Sequence, residues 1–313
     1  MIDSVRATVL AVLNKNNYGY ISPSDFNLYA KQAQLDLFED YFYSYNYQVN
    51  KENARKSGTG IADIKKSLAE VIEFFSVSAY LTHIATNTFT VPTTATTGSD
   101  YYLINKVLAY TSLLTSGANT SVLASFLVDN TTDFQTAAVQ VGDIVVNTTT
   151  NQTAIVTSVA PTQLGLDTDI FLAFPENYLV YDDAVVKEIE KVSHSKITML
   201  NNSLLTAPNE TFPAYTLEGD VIRVSPNTIN TLGQVNCQYF RYPADPKWTY
   251  VTLTGGEPAF NSGALDYQDF ELPLSDEAYL VAKILEYSGV SIREQTVVQF
   301  AKTEEIQNIQ EEK

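Results

Sequence analysis

One cysteine, Cys237, stands in a chain of 313 residues. No disulfide can close within the chain, which fits synthesis and assembly in a reducing cytoplasm. Histidine is almost as scarce, with His83 and His194 alone. No pair among these three side chains has zinc-ligand spacing, so no metal or other cofactor is expected. No apolar run reaches the ~18 residues that mark a membrane-spanning helix, so no membrane partner is expected. The opening MIDSVRATVLAVLNKNN has an acid at Asp3 and only a short apolar core, and reads as an amphipathic helix rather than a signal peptide. Without a secretion signal, the Asn-x-Ser/Thr triplets at Asn130, Asn147, Asn151, Asn201 and Asn209 are most simply polar turns. Positive charge is also short. Against 36 Asp and Glu there are 19 Lys and Arg, a net charge of −17, and Lys106 is the only cation between residues 67 and 185. An acidic chain with no basic cluster is poorly suited to gripping nucleic acid. It suits the wall of a path through which DNA slides without sticking.

What the chain does have is apolar and aromatic bulk, 45% and 12% of its residues, enough for a sizeable core. The densest stretch is Asn14–Asn50. Ser22 is a good helix N-cap, Pro23 suits the first helical position, and Asp25 stands where a capping box has its Glu. Phe26, Tyr29, Ala30, Ala33, Leu37, Phe38, Tyr41, Phe42 and Tyr45 then recur at three- and four-residue steps, one apolar stripe on a long helix ending near Tyr47. Tyr43 and Tyr47 fall off that stripe. They are either surface tyrosines or a second contact face. The same stretch imitates a calcium loop, with Asn14, Asn16, Tyr18, Gly19, Ile21 and Asp25 on loop positions. Two neutral amides, a tyrosine and a short terminal acid are a poor set of ligands for a hard dication.

Around this helix the pattern predicts a short helix over 2–13, a polar loop over 51–60 and a third helix from Ile61 to Phe75. Lys56–Gly60 lacks the spacing of a phosphate loop. From about Thr86 the chain turns β-like. Strands are expected at Ser125–Val128, Asp143–Asn147, Ala154–Val159, Leu164–Leu166 and Tyr178–Tyr181, as in a small antiparallel barrel. Residues 101–115 are ambiguous and Ala184–Leu205 is a transition. Further strands are expected at Val221–Val224, Val235–Tyr242 and Thr249–Leu253. A helix is expected from Ser275 to a stop at Gly289, and a last one from Ile292 to about Gln310. The fold class read from this pattern is α+β: a helical bundle built from both chain ends with inserted antiparallel β domains. The segments are 1–85 (helical), 86–185 (small β domain), 186–272 (second β region with long loops) and 273–313 (helices completing the bundle).

No catalytic set assembles from the sequence. Cys237 sits in a strand-like run, as a small core residue does. Asp143, in Val141-Gly142-Asp143, reads as a turn cap. The acid pairs Glu39/Asp40 and Asp182/Asp183 are adjacent in sequence and do not face each other across a sugar. No nucleophile elbow supports a Ser–His–Asp triad. Trp248 is either a sugar platform or a core or interface anchor.

Three stretches carry a resemblance: NNYGYISPSDFNLYAKQAQLDLFEDYFYSYN, YFRYPADPKW and DFELPLSDEAYLVAKILEYSGVSIRE. They resemble the virion structural proteins of crAss-like tailed bacteriophages, specifically the ring or head–tail adaptor proteins stacked below the portal. VGDIVVNTTTNQTAIVTSV resembles the small β-modules of many phage structural proteins. The resemblance implies a non-enzymatic structural protein and a homo-oligomeric, dodecameric ring. Its partners would be the portal protein and other ring or tail proteins, and genome DNA would pass through the lumen without specific binding. The location implied is the virion, at the tail or head–tail junction. A tail-associated receptor- or glycan-binding protein is the alternative. The expected subunit contact lies at the end of the long helix: Tyr43 and Tyr47 desolvated, with Lys51, Arg55 and Lys56 paired to acids of a neighbouring copy.

Overall fold

The structure, a computed structural model, describes residues 1–13, 21–54, 62–150 and 152–291, with backbone alone at 51–54, 62–65, 290 and 291. The chain divides into two compact units. Unit 1 joins Met1–Phe75 to Pro243–Lys313, and unit 2 is the continuous stretch Ser76–Tyr242.

Unit 1 begins with α1 (Ile2–Leu13), α2 (Pro23–Ala54) and α3 (Ala62–Glu73). Ser22 caps α2 as its position predicts. Its Oγ accepts the Asp25 N–H at 3.1 Å and donates to the Asp25 carboxylate at 2.7 Å. The buried part of the stripe is Phe26, Ala30, Ala33, Leu37 and Phe38. Phe38 meets Phe42 and Phe75 edge-on, with centroids 5.1 and 5.0 Å apart. Such pairs add to the area that burial removes from water.

Unit 2 carries two sheets. Its strands are β1 (Ser76–Tyr80), β2 (His83–Ala85) and β3 (Thr88–Thr90), then, after the single-turn α4 (Thr94–Thr97), β4 (Tyr101–Tyr110), β5 (Leu113–Ala118), β6 (Ser121–Leu123) and β7 (Phe126–Val128). They continue as β8 (Ile144–Asn147), β9 (Gln152–Ala160), β10 (Gln163–Leu166), β11 (Asn177–Tyr181) and β12 (Val186–Lys191). Helix α5 (His194–Asn201) precedes β13 (Ala214–Glu218), β14 (Val221–Ser225) and β15 (Val235–Arg241). The eight-stranded sheet runs β1-β15-β4-β12-β13-β14-β3-β2 and the seven-stranded sheet β5-β11-β8-β9-β10-β7-β6. Only Asn119 and Thr120 separate β5 from β6, the two edges of the second sheet. The end of one edge strand therefore lies close to the start of the other, and among the described residues no ladder pairs the two into a closed barrel.

Alternation sets the faces. In β14, Ile222 and Val224 are buried and Arg223 is out; in β9, Ala154 and Val156 are buried and Ile155 is out. All four residues of β8 are buried. Val145 belongs to the core of its own sheet, while Ile144 and Val146 pack with Tyr110, Tyr181 and Leu232 in the cluster that joins the two sheets. Cys237 lies fully buried in the core of the larger sheet, where burial pushes its thiol up to about 12.

The chain then returns to unit 1 with the hairpin β16 (Tyr250–Thr252) and β17 (Pro258–Phe260), a 3₁₀ turn at Leu274–Asp276 and α6 (Glu277–Ser291). Helix α6 packs on α1 and α2.

The expected bundle of helices built from both chain ends is overturned. Seventeen strands against six α-helices among the described residues make this a mostly β-sheet chain, within a broadly α+β composition. Much of the difference lies in segments with little period-2 signal, namely β1, β12 and β13. In β12, Val-Lys-Glu-Ile-Glu-Lys, only Ile189 is buried. Helix α2 also runs on to Ala54, through part of the expected loop, because Lys, Glu and Ala are good helix formers. Helix α6 does not stop at Gly289 but continues to Ser291. The expected last helix, from 292 onward, lies outside the described residues, as do Asn14–Tyr20 of the calcium-like loop and Lys56–Gly60.

Candidate subunit interface

Residues 21–46, 243–248 and 269–291 of the three resembling stretches lie in unit 1, while Tyr239–Tyr242 belong to unit 2, and polar contacts tie the unit 1 parts together. From α2, Asn27 exchanges two hydrogen bonds with the Trp248 backbone, at 3.2 and 2.8 Å. Lys31 pairs with Asp245 at 2.6 Å, and Gln34 donates to the Ala244 carbonyl at 2.8 Å while accepting from the Glu271 N–H at 3.0 Å. Tyr41 donates to Asp276, and Tyr287 of α6 donates to Asp36. Gln34 is only 1% exposed, so both of its bonds are made away from water, where leaving either group unpaired would be costly.

Trp248 is part of this knot and not a sugar platform. It is 2% exposed, lies nearly parallel to Tyr250 and Phe260 with centroids 5.8 Å away in each case, and carries the Arg6 guanidinium 3.8 Å over its ring. Its Nε1–H donates to Asp3 at 2.9 Å. Asp269 closes the same corner: its carboxylate accepts from the Met1 amine at 3.0 Å and from the Ile2 N–H at 2.8 Å.

The expected contact residues lie farther along α2. Tyr43 is 72% exposed and Tyr47 44%, four residues apart and hence on one face of the helix. Lys51 lies one turn beyond on the same helix. The Lys51 side chain, Arg55 and Lys56 lie outside the described residues, so the basic half of the expected contact has no described geometry.

A second surface, which the sequence did not signal, is in unit 2. Strands β12 and β13 pair in parallel, Glu190 opposite Ala214 and Lys191 opposite Tyr215. A parallel pair cannot be joined by a tight turn, so residues 192–213 cross over and carry α5. Ser193 caps that helix, its Oγ accepting the Lys196 N–H at 3.4 Å. Ile197 is the buried residue of α5 and packs with Val192 and Ala214. Outward stand Met199, Leu204, Leu205 and Phe212, with Leu204 and Leu205 about as exposed as in an extended chain (105% and 95%). Isolated exposed leucines are ordinary; four large apolar side chains on one crossover form an exposed apolar patch. Beneath the crossover is a cleft of about 620 Å³, lined among others by Lys106, Lys191, Lys196, Leu205 and Tyr215. Lys106 pairs with Glu188 at 3.2 Å and Lys196 with Glu190 at 3.6 Å, both on the surface.

The two histidines and the candidate acids make local structural contacts. His83 Nε2 lies 2.9 Å from the Thr86 carbonyl, and His194 Nδ1 lies 3.1 Å from Glu218. Asp143 is a turn cap, accepting the N–H groups of Gln140 at 2.7 Å and Asp183 at 3.2 Å. Asp182 accepts the Ala184 N–H at 2.9 Å, a similar turn bond. Among the described residues no three His, Cys, Asp or Glu side chains converge as a metal site, and no helix is long and apolar enough to cross a membrane. No protein-family model matches the sequence, and a search of curated proteins finds no significant match.

Proposed function

We propose that this chain is a structural subunit of a cyclic homo-oligomer, twelve copies around a DNA conduit, at the head–tail junction of a tailed bacteriophage. One observation carries the reading. Residues from each of the three stretches resembling phage ring or adaptor proteins, far apart in the chain, are knitted into one unit through Asn27, Lys31, Gln34, Tyr41 and Tyr287. A resemblance confined to separate surface loops would lend less support. In this reading the protein performs no reaction. The face of α2 bearing Tyr43 and Tyr47 makes one subunit contact, the portal and other ring or tail proteins stack against the ring, and the excess negative charge keeps passing DNA from adhering.

Mass photometry and negative-stain imaging of the purified chain test this. The expected result is a closed ring with one mass, near twelve times 34.7 kDa. A monomer at every concentration, or a trimer that binds glycans, would overturn it; the trimer would favour a receptor-binding tail component.

A further inference from the structure

We infer that the seven-stranded sheet forms an accessory module set into the larger sheet, and that neither the larger sheet's fold nor subunit assembly requires it. The assembly half rests on the ring reading above; the folding half does not.

The chain enters and leaves the module at one place. In the larger sheet β4 pairs antiparallel with β12, Tyr110 opposite Val186. Residues 111–185 therefore depart and return on neighbouring strands, roughly 5 Å apart. The Asp182 N–H donates to the Ser112 carbonyl at 3.0 Å and closes that neck from the module's side. Each sheet has its own core. The module's core runs from Leu127 to Val180 and takes nothing from outside. The core of the larger sheet is drawn from Leu81–Ala109 and Ile189–Tyr239, and takes nothing from the module. Buried polar side chains of the module are satisfied within it as well. Asn119 donates to the Ala173 carbonyl and Asn147 to the Ile170 carbonyl, both at 2.8 Å, and Asp129 accepts from the Tyr178 hydroxyl at 2.7 Å. The stretch is also longer than the ~55–65 residues at which single domains already fold alone.

What joins the two sheets is small: Ile144, Val146 and Tyr181 of the module against Tyr110 and Leu232. Such a joint couples the melting of the two sheets without either one templating the other. For assembly, the contact proposed through Tyr43 and Tyr47 lies in unit 1. Contact between modules of neighbouring copies is disfavoured, because 111–184 holds eight Asp and Glu and no Lys or Arg, with Asp133, Asp167 and Asp183 exposed. Module on module would set like charges against each other.

Cys237, the only cysteine, is fully buried in the core of the larger sheet, so its reactivity toward an aromatic disulfide reagent reports whether that sheet is closed. Two variants use it. In the full chain, Val156→Asp with Leu164→Asp puts two charges into the module's core, where burial without a partner is costly. Chymotrypsin should then cut within 113–181 while Cys237 stays as unreactive as in wild type; Ile222→Asp, in the larger core, is the control that exposes the thiol. The second variant replaces 111–185 by a short glycine-containing loop, with Leu232→Ser because the joint then faces water. It should be soluble, keep Cys237 unreactive and assemble at the concentration wild type needs. A reactive Cys237 in either variant, or an insoluble deletion variant, overturns the folding half. A deletion variant that stays monomeric where wild type assembles overturns the assembly half. Wild type that never assembles overturns the ring reading and the assembly half with it, while the thiol result still decides the folding half.

Discussion

Asp129 has no exposed surface, yet its carboxylate is satisfied. It accepts the Thr131 N–H at 2.8 Å, the Thr131 and Thr132 hydroxyls at 2.6 and 2.9 Å, and the Tyr178 hydroxyl at 2.7 Å. Burial alone would raise its pKa, but these hydrogen bonds outweigh it and hold the carboxyl below the usual range. At Asp269 burial is likewise outweighed, by the Met1 amine and the N–H groups of Ile2 and Phe270. The sign of the linkage follows. A depressed folded pKa stabilises above the unfolded value, near ~3.9 for Asp, and that stability is lost as pH falls through the folded value. Asp129→Asn should lower the melting temperature at neutral pH, and the gap from wild type should shrink below about pH 4; a gap independent of pH would contradict this account. Gly233 is a second position fixed by its neighbours. Its φ is +76°, and a Cβ there would lie 2.2 Å from Val146 Cγ2, in the cluster joining the two sheets. Gly233→Ala should cost about 1–3 kcal/mol by overpacking alone, with backbone strain added, as read by denaturant titration. These roles were not legible in the sequence. Asp129 sits in Val-Asp-Asn-Thr-Thr, which reads as an ordinary polar turn until Tyr178 arrives from another strand.

Helix α2 was the most legible element, because local signals specify it: a capping serine, a proline at the first position and a stripe on one period. Ser22→Ala should cost about 1 kcal/mol through the lost cap, measurable as a shift in the denaturation midpoint. At the far end of the helix, replacing Tyr43 and Tyr47 together by Ala should leave the monomer folded and weaken assembly by at most a few kcal/mol, the usual cost of truncating interface side chains. Unchanged assembly would assign these tyrosines to solvent, and unfolding would assign them to the core. The strands that escaped the sequence share a different origin. β12 carries charges on most of its positions, and its pairing with β4 and β13 is decided by partners far along the chain. Propensity cannot report such pairing. The crossover surface was hidden for a related reason. Leu204, Leu205 and Phe212 resemble core residues in sequence, and only the parallel pairing of β12 with β13 sets them outside.

At the scale of the whole molecule, the chain's ends contribute to one unit and its middle to another. The uneven charge was plain from composition; the dominance of sheet was not, because non-local pairing makes it. In unit 2 the first and last strands are neighbours, with Ser76 paired opposite Phe240. A fragment 76–242 should therefore fold cooperatively by itself, with strand-rich circular dichroism and a single melting transition; a disordered fragment would refute this. The discontinuity of unit 1 also has a consequence for synthesis on the ribosome. Helix α2 emerges early, but Trp248, Glu271 and α6, against which its polar groups and stripe are satisfied, follow more than two hundred residues later. At bacterial elongation speeds that interval is on the order of ten to forty seconds. For that time an aromatic helix waits without its partner segment while the sheets between are completed. Nascent chains arrested before residue 243 should accordingly recruit hydrophobic-binding chaperones through residues 23–47, and chains released after α6 should not.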